Sequence, residues 1–151
     1  MDKLMLGYDC SDKKIFEIIN ECFDKNYAGW MQAWYDINDE FAAWFPTITQ
    51  TDDCPNGSYG GTKNFSNTLW AYNTTIVEIN HEQTQEDALL YEKNPKSSKF
   101  HKTRLVFVRI DGKFVFLGVF ERDILFEEKH APAIHHRIAR GVNLNTWELI
   151  K

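Results

Sequence analysis

The sequence predicts an α+β fold, with helices first and then a curved, mostly antiparallel sheet or small β-barrel. Two observations carry this. The segment Thr103–Arg122, TRLVFVRIDGKFVFLGVFER, reads as two apolar strands joined by Asp111-Gly112. Asp-Gly between alternating hydrophobic runs marks a hairpin, because a type I′ turn needs positive φ at both central residues. The second observation is the change of period along the chain: helical spacing of apolar residues near the N-terminus gives way to strand-like runs from Asn67 onward.

In chain order, Ser11–Phe23 predicts an amphipathic helix. Ile15, Ile18, Ile19, Cys22 and Phe23 recur at helical spacing, and Ser11 or Asp12 can cap the first turn. The aromatic-rich stretch Asn26–Phe45 is read as helical too, with Trp30 and Trp34 on one face and Phe41, Trp44 and Phe45 on another. Pro46 ends it, so the helical part spans 11–46. Gln50–Asn67 is expected to be irregular, with Gly60-Gly61 as a flexible point.

Leu69–Tyr72 and Thr75–Asn80 are two expected strands joined tightly at Asn73-Thr74, and Gln85–Glu92 is a short expected helix. After the hairpin come Ile124–Phe126, a strand around His136–Val142 and a terminal apolar segment, Thr146–Ile150, so 67–150 is mainly β. Gly118, expected opposite Leu105, marks a bulge or bend that would curl the sheet. No repeat or linker divides residues 1–151, and a single domain is expected.

Composition narrows the function. With 43% hydrophobic residues the chain can bury a useful core, and a net charge of −5 argues against non-specific coating of nucleic acid. The charge is nevertheless uneven: Lys93–Arg109 holds Lys and Arg but no acid, whereas Asp36–Asp53 holds acids but no Lys or Arg. The cysteines, Cys10, Cys22 and Cys54, form no close-spaced pair, and neither a signal peptide nor a long apolar run is present, which predicts a cytoplasmic protein off the membrane.

Catalytic motifs are weak. His130, His135 and His136 lack a second ligand cluster for zinc, and on a strand His135 and His136 point to opposite faces. Asp52-Asp53 and Glu127-Glu128 are adjacent acids in turns, and neither a G-x-S-x-G elbow nor a P-loop is present. No metal, cofactor or catalytic residue is expected. The indoles of Trp30, Trp34, Trp44 and Trp70, with Tyr72, exceed what a small core usually needs and could stack on a base. Packing is the simplest role for any one of them. Arg104, Arg109, Arg122, Arg137 and Arg140 are either a solvated sheet edge or a phosphate-contacting rim. Strand alternation puts Arg137 on the face of His135, and Arg140 on the face of His136 and Ile138.

Four segments resemble small PUA-like domains: Asn67-Thr68-Leu69-Trp70 with Thr75–Glu78, Arg104–Arg109, Gly112–Glu121 around Phe116-Leu117-Gly118-Val119-Phe120, and His136-Arg137-Ile138-Ala139. They are similar to the SRA/EVE-type modified-base readers of bacterial modification-dependent restriction systems, over about residues 60–142. The resemblance implies a β-barrel flanked by helices, with an aromatic pocket for a flipped, modified base. Within it, Asn67 and Trp70 fall at the pocket and Arg104, Arg137 and Arg140 at the nucleic-acid backbone; Trp44 and Tyr72 are added as aromatic candidates.

The expected function is therefore a non-catalytic module that binds DNA or RNA through such a base. Rival readings are an acidic phage or mobile-element protein that occupies a host protein partner, and a small hydrolase or nuclease using His135 or His136.

Overall fold

A computed structural model of the chain describes residues 1–53, 65–80, 101–124 and 133–151. The expected helix Gln85–Glu92 and the segment Leu125–Phe126 lie outside them.

The N-terminal helix is confirmed in a shorter form. After strand β1 (Lys3–Met5), helix α1 runs Ile15–Phe23 and buries Ile18, Ile19 and Cys22. It begins later than Ser11 or Asp12 would dictate: Lys14 is the N-cap, and its N–H donates to the Glu17 carboxylate at 2.9 Å. Asp24 ends the helix in the left-handed region.

Helical structure over 26–46 is overturned. Trp34–Asp36 and Phe41–Trp44 are antiparallel strands, β2 and β3, with Trp34 opposite Trp44. Every residue of β3 is buried. A strand covered on both faces shows no alternation, so its period-two signal is lost. Trp30, Trp34 and Ile37, and separately Phe41, Trp44 and Phe45, then mimic helical spacing by coincidence.

The remaining strands are β4 (Gln50–Thr51), β5 (Phe65–Trp70), β6 (Thr75–Asn80), β7 (Thr103–Ile110), β8 (Lys113–Ile124), β9 (Ala133–Ala139), β10 (Gly141–Asn143) and β11 (Leu149–Ile150). Among the described residues, eight of the eleven strands form one mixed sheet in the order β2-β3-β7-β8-β9-β6-β5-β4, while β1, β10 and β11 make a small antiparallel sheet. Among the described residues the large sheet does not close into a barrel. Pairing is mostly antiparallel, with parallel contacts at β3–β7 and β4–β5.

The β7–β8 hairpin forms as its turn dictates, with positive φ at Asp111 and Gly112. Its register differs from expectation by one residue: Gly118 opposes Val106, and Leu105 opposes Val119. Leu117 is the extra residue, because Phe107 pairs with Phe116. The irregularity adds local twist. Gly118 is required there. Its φ is +105°, and a Cβ would lie 2.6 Å from the Ala139 carbonyl oxygen and 2.9 Å from Arg137 Cδ. Gly118→Ala is expected to cost about 2 kcal/mol or more, read as a lower urea midpoint at unchanged slope.

The large sheet has an apolar cluster on each face. On one side α1 and the small sheet pack over Leu105, Phe107, Phe116 and Val119. The other side gathers Trp44, Ile48, Leu69, Ile76, Val106, Val108, Leu117 and Phe120, with Trp34 at its margin. Polar side chains are set into this second face.

Candidate nucleic-acid interface

Alternation along β7 puts Arg104 on the second face with Val106 and Val108. The register across the sheet aligns Arg104 with Phe120, Arg122 with His135, His135 with Ile76, and Glu78 with Asn67. Four neighbouring strands and β5 thus deliver Arg104, Arg122, His135, Glu78 and Asn67 to one surface.

The centre is a buried polar chain. Arg104 is 2% exposed and His135 1%. Arg104 Nη1 lies 3.1 Å from His135 Nδ1, and His135 Nε2 lies 3.3 Å from Glu78 Oε1. A second guanidinium nitrogen, Arg104 Nη2, donates to the Lys102 carbonyl at 2.9 Å. Burial pushes the His135 imidazole down to about 4; the nearby Arg104 and Arg122 charges push the same way, and the Glu78 contact opposes them. His135 is therefore neutral at pH 7. Burial would raise the Glu78 carboxyl, but the His135 hydrogen bond and the Arg122 and Arg104 charges hold it below its ordinary value. Glu78 is ionised. Burial also lowers the Arg104 guanidinium to about 10, which leaves it charged.

Indoles flank this chain. The Trp44 ring lies 4.4 Å from the His135 ring, and the Arg104 guanidinium carbon sits 5.1 Å from the Trp34 ring centre. The second contact has cation–π geometry. Asp36 Oδ1 accepts from Trp34 Nε1 at 3.0 Å and from Lys102 Nζ at 2.9 Å, tying β2 to the start of β7.

On the far side, Asn67 stands directly opposite Glu78 in the β5–β6 pair, a position that brings Cβ atoms within about 5.5 Å. Its Nδ2 donates to the Thr47 carbonyl at 3.2 Å. Its Oδ1 is buried and has no hydrogen-bond partner among the described residues. A buried amide oxygen without a partner costs about 1–3 kcal/mol.

The anticipated residues separate clearly. Asn67, Trp44 and Arg104 come together on this face, although Arg104 is inside it rather than on an exposed rim. Arg137 shares the face of His135 and lies over Gly118. Trp70 alternates to the side away from Asn67 and Leu69, and its Nε1 donates to Thr68 Oγ1 at 2.7 Å. Tyr72 is 95% exposed in the turn between β5 and β6. Arg140 leaves the large sheet altogether: it follows β9, is exposed, and its N–H donates to the Ile150 carbonyl. It thus shares no face with His136, the strand irregularity at Ile138 having broken the alternation. Trp34 was a candidate only as one of several indoles, and Glu78 was not singled out as a site residue. Glu78 had a readable signal, an acid two positions from Ile76 on an apolar strand.

The family model for the SET and RING associated (SRA) domain matches residues 5–144. The chain belongs to the SRA domain family. These are PUA-like modified-cytosine readers, and the match extends the resemblance seen in the β strands to nearly the whole sequence. Among solved structures, this SRA domain is similar to "The 5-Hydroxymethylcytosine-Specific Restriction Enzyme AbaSI", with a TM-score of 0.65 at 18% identity. The alignment covers 94% of this chain and 42% of that one, so the likeness concerns the fold of under half of that enzyme. A search of curated proteins found no match. Among the described residues no helix is long and apolar enough to cross a membrane.

Proposed function

We propose that this SRA domain binds DNA and recognises a modified cytosine, taken out of the stack, on the face holding Asn67, Glu78, Trp34 and Trp44. The observation that carries the reading is the buried Asn67 Oδ1, without a partner among the described residues, on the residue opposite the ionised Glu78. Both are acceptors. They suit a base edge with two neighbouring donors, such as the exocyclic amine of cytosine and a hydroxyl on its modification. A carboxylate is a natural acceptor for the cytosine amine, and indoles supply a stacking surface. The similar restriction enzyme acts on 5-hydroxymethylcytosine, by its name, which makes that base the first ligand to test. Arg137, beside Gly118, and Lys102, which pairs with Asp36 at the start of β7, are the cations assigned to phosphate contact in this reading. Unstacking a base costs a few kcal/mol, which stacking and edge hydrogen bonds must offset.

The test is a titration of short duplexes carrying cytosine, 5-methylcytosine or 5-hydroxymethylcytosine, followed by tryptophan fluorescence at low salt. Tightest binding to the hydroxymethylated duplex is expected. Trp34→Ala is expected to weaken it by about tenfold or more, from stacking worth about 1–3 kcal/mol per base. Equal affinity for all three duplexes, or none for any, would overturn the reading.

A further inference from the structure

We propose that Arg104 and His135 are positioning residues that act through Glu78, locking its carboxylate so that one oxygen is held by the protein and the other is presented to a ligand donor. This rests on the binding face proposed above but assigns a role to residues deeper than that surface. The Arg104 guanidinium can only donate. With Nη1 at 3.1 Å, His135 Nδ1 must therefore be the acceptor. A neutral imidazole with an accepting Nδ1 carries its proton on Nε2. That N–H points to Glu78 Oε1 at 3.3 Å. One arginine thus dictates the tautomer, and the tautomer dictates which carboxylate oxygen is tied.

Burial makes the device rigid. Trp44 covers the imidazole at 4.4 Å, and Trp34 lies beside the guanidinium. The Glu78 side chain retains 22% exposure against 2% for that of His135, so the chain runs from a closed interior to an open end. Among the described residues the charged and titratable groups around His135 are Arg104 on β7, Arg122 on β8 and Glu78 on β6. Protonating His135 would turn Nδ1 into a donor facing another donor and break the first link. Base recognition is therefore tied to a neutral histidine that never touches the base.

Three variants separate positioning from packing. His135→Gln restores one acceptor and one donor without a titrating group, His135→Leu restores neither, and Arg104→Met frees the tautomer. Nitrogen-15 NMR of wild-type protein is expected to show an Nε2–H tautomer between pH 6 and 8, replaced by a mixture in Arg104→Met. The Glu78 carboxyl is expected to titrate higher in His135→Leu than in wild type, and to return toward wild type in His135→Gln. In duplex titrations, His135→Leu is expected to lose discrimination tenfold or more. His135→Gln is expected to keep it at pH 7 and to escape the decline expected of wild type as His135 is protonated at acid pH. An Nδ1–H tautomer, or a Glu78 titration unchanged in a folded His135→Leu, overturns the proposal whether or not DNA binds. Absence of binding by wild type with the NMR results intact overturns the modified-base reading instead.

Discussion

Lowering the pH from 7 to 4 is expected to remove about 3 kcal/mol of folding stability through His135 alone. The imidazole falls from an ordinary 6.5 to about 4 in the folded protein. Between those values the unfolded chain takes up a proton that the folded protein refuses, so the unfolded state gains. The contribution is complete above pH 6.5 and is lost as pH falls toward 4. Glu78, whose carboxyl is held below its ordinary 4.5, loses stabilisation in the same direction at still lower pH. Urea midpoints measured from pH 7.5 to 4 should fall steeply for wild type and distinctly less for His135→Gln. Parallel pH profiles for the two proteins would show that His135 is not the responsible group.

Such a histidine could be seen in the sequence but not interpreted. The adjacent pair His135-His136 invites comparison with metal ligands, and strand alternation sends the two rings to opposite faces. The structure places His135 in the interior and leaves His136 partly exposed beside Asp123, 3.2 Å away. What decides their different fates is non-local. Glu78 is 57 residues from His135 and Arg104 is 31. No spacing rule links residues that meet only because β6, β9, β8 and β7 lie side by side.

Local chemistry was more legible. The Asp111-Gly112 turn, the apolar stripe of α1 and strand β6 follow from period and turn residues. The stretch 26–46 did not, because a strand buried on both faces carries no alternation and its aromatic spacing fitted a helix. Gly118 was legible as a bend, but its partner was not, since a bulge shifts register by one residue. Asn67 was found by family resemblance, while the reason for its importance, a buried oxygen opposite a carboxylate, needed the pairing of β5 with β6.

The polar chain also sets an expectation about cost. Glu78→Leu alone is expected to destabilise the protein by about 3–5 kcal/mol, because it removes the anion facing two partly or fully buried guanidinium groups. Replacing the whole chain should behave differently. A triple variant, Arg104→Met with His135→Leu and Glu78→Leu, removes Arg104 and its polar partners together and fills the volume with apolar side chains among Trp44, Val106 and Phe120. Buried ionic groups exchanged as a set for hydrophobes are often neutral or stabilising. Arg122 keeps its charge in the triple variant, which is therefore expected to recover the part of the loss that comes from Arg104, while discrimination among modified duplexes is abolished. Urea unfolding and the duplex titration, run on the same preparations, read both quantities. Glu78→Leu costing no more than about 0.5 kcal/mol, the range of an ordinary surface change, would show that the carboxylate does not balance the buried charge. A triple variant as unstable as the single one would show that the cost is one of packing. The expected pattern, stability regained and recognition lost, would mean that the fold keeps this chain for its ligand rather than for itself.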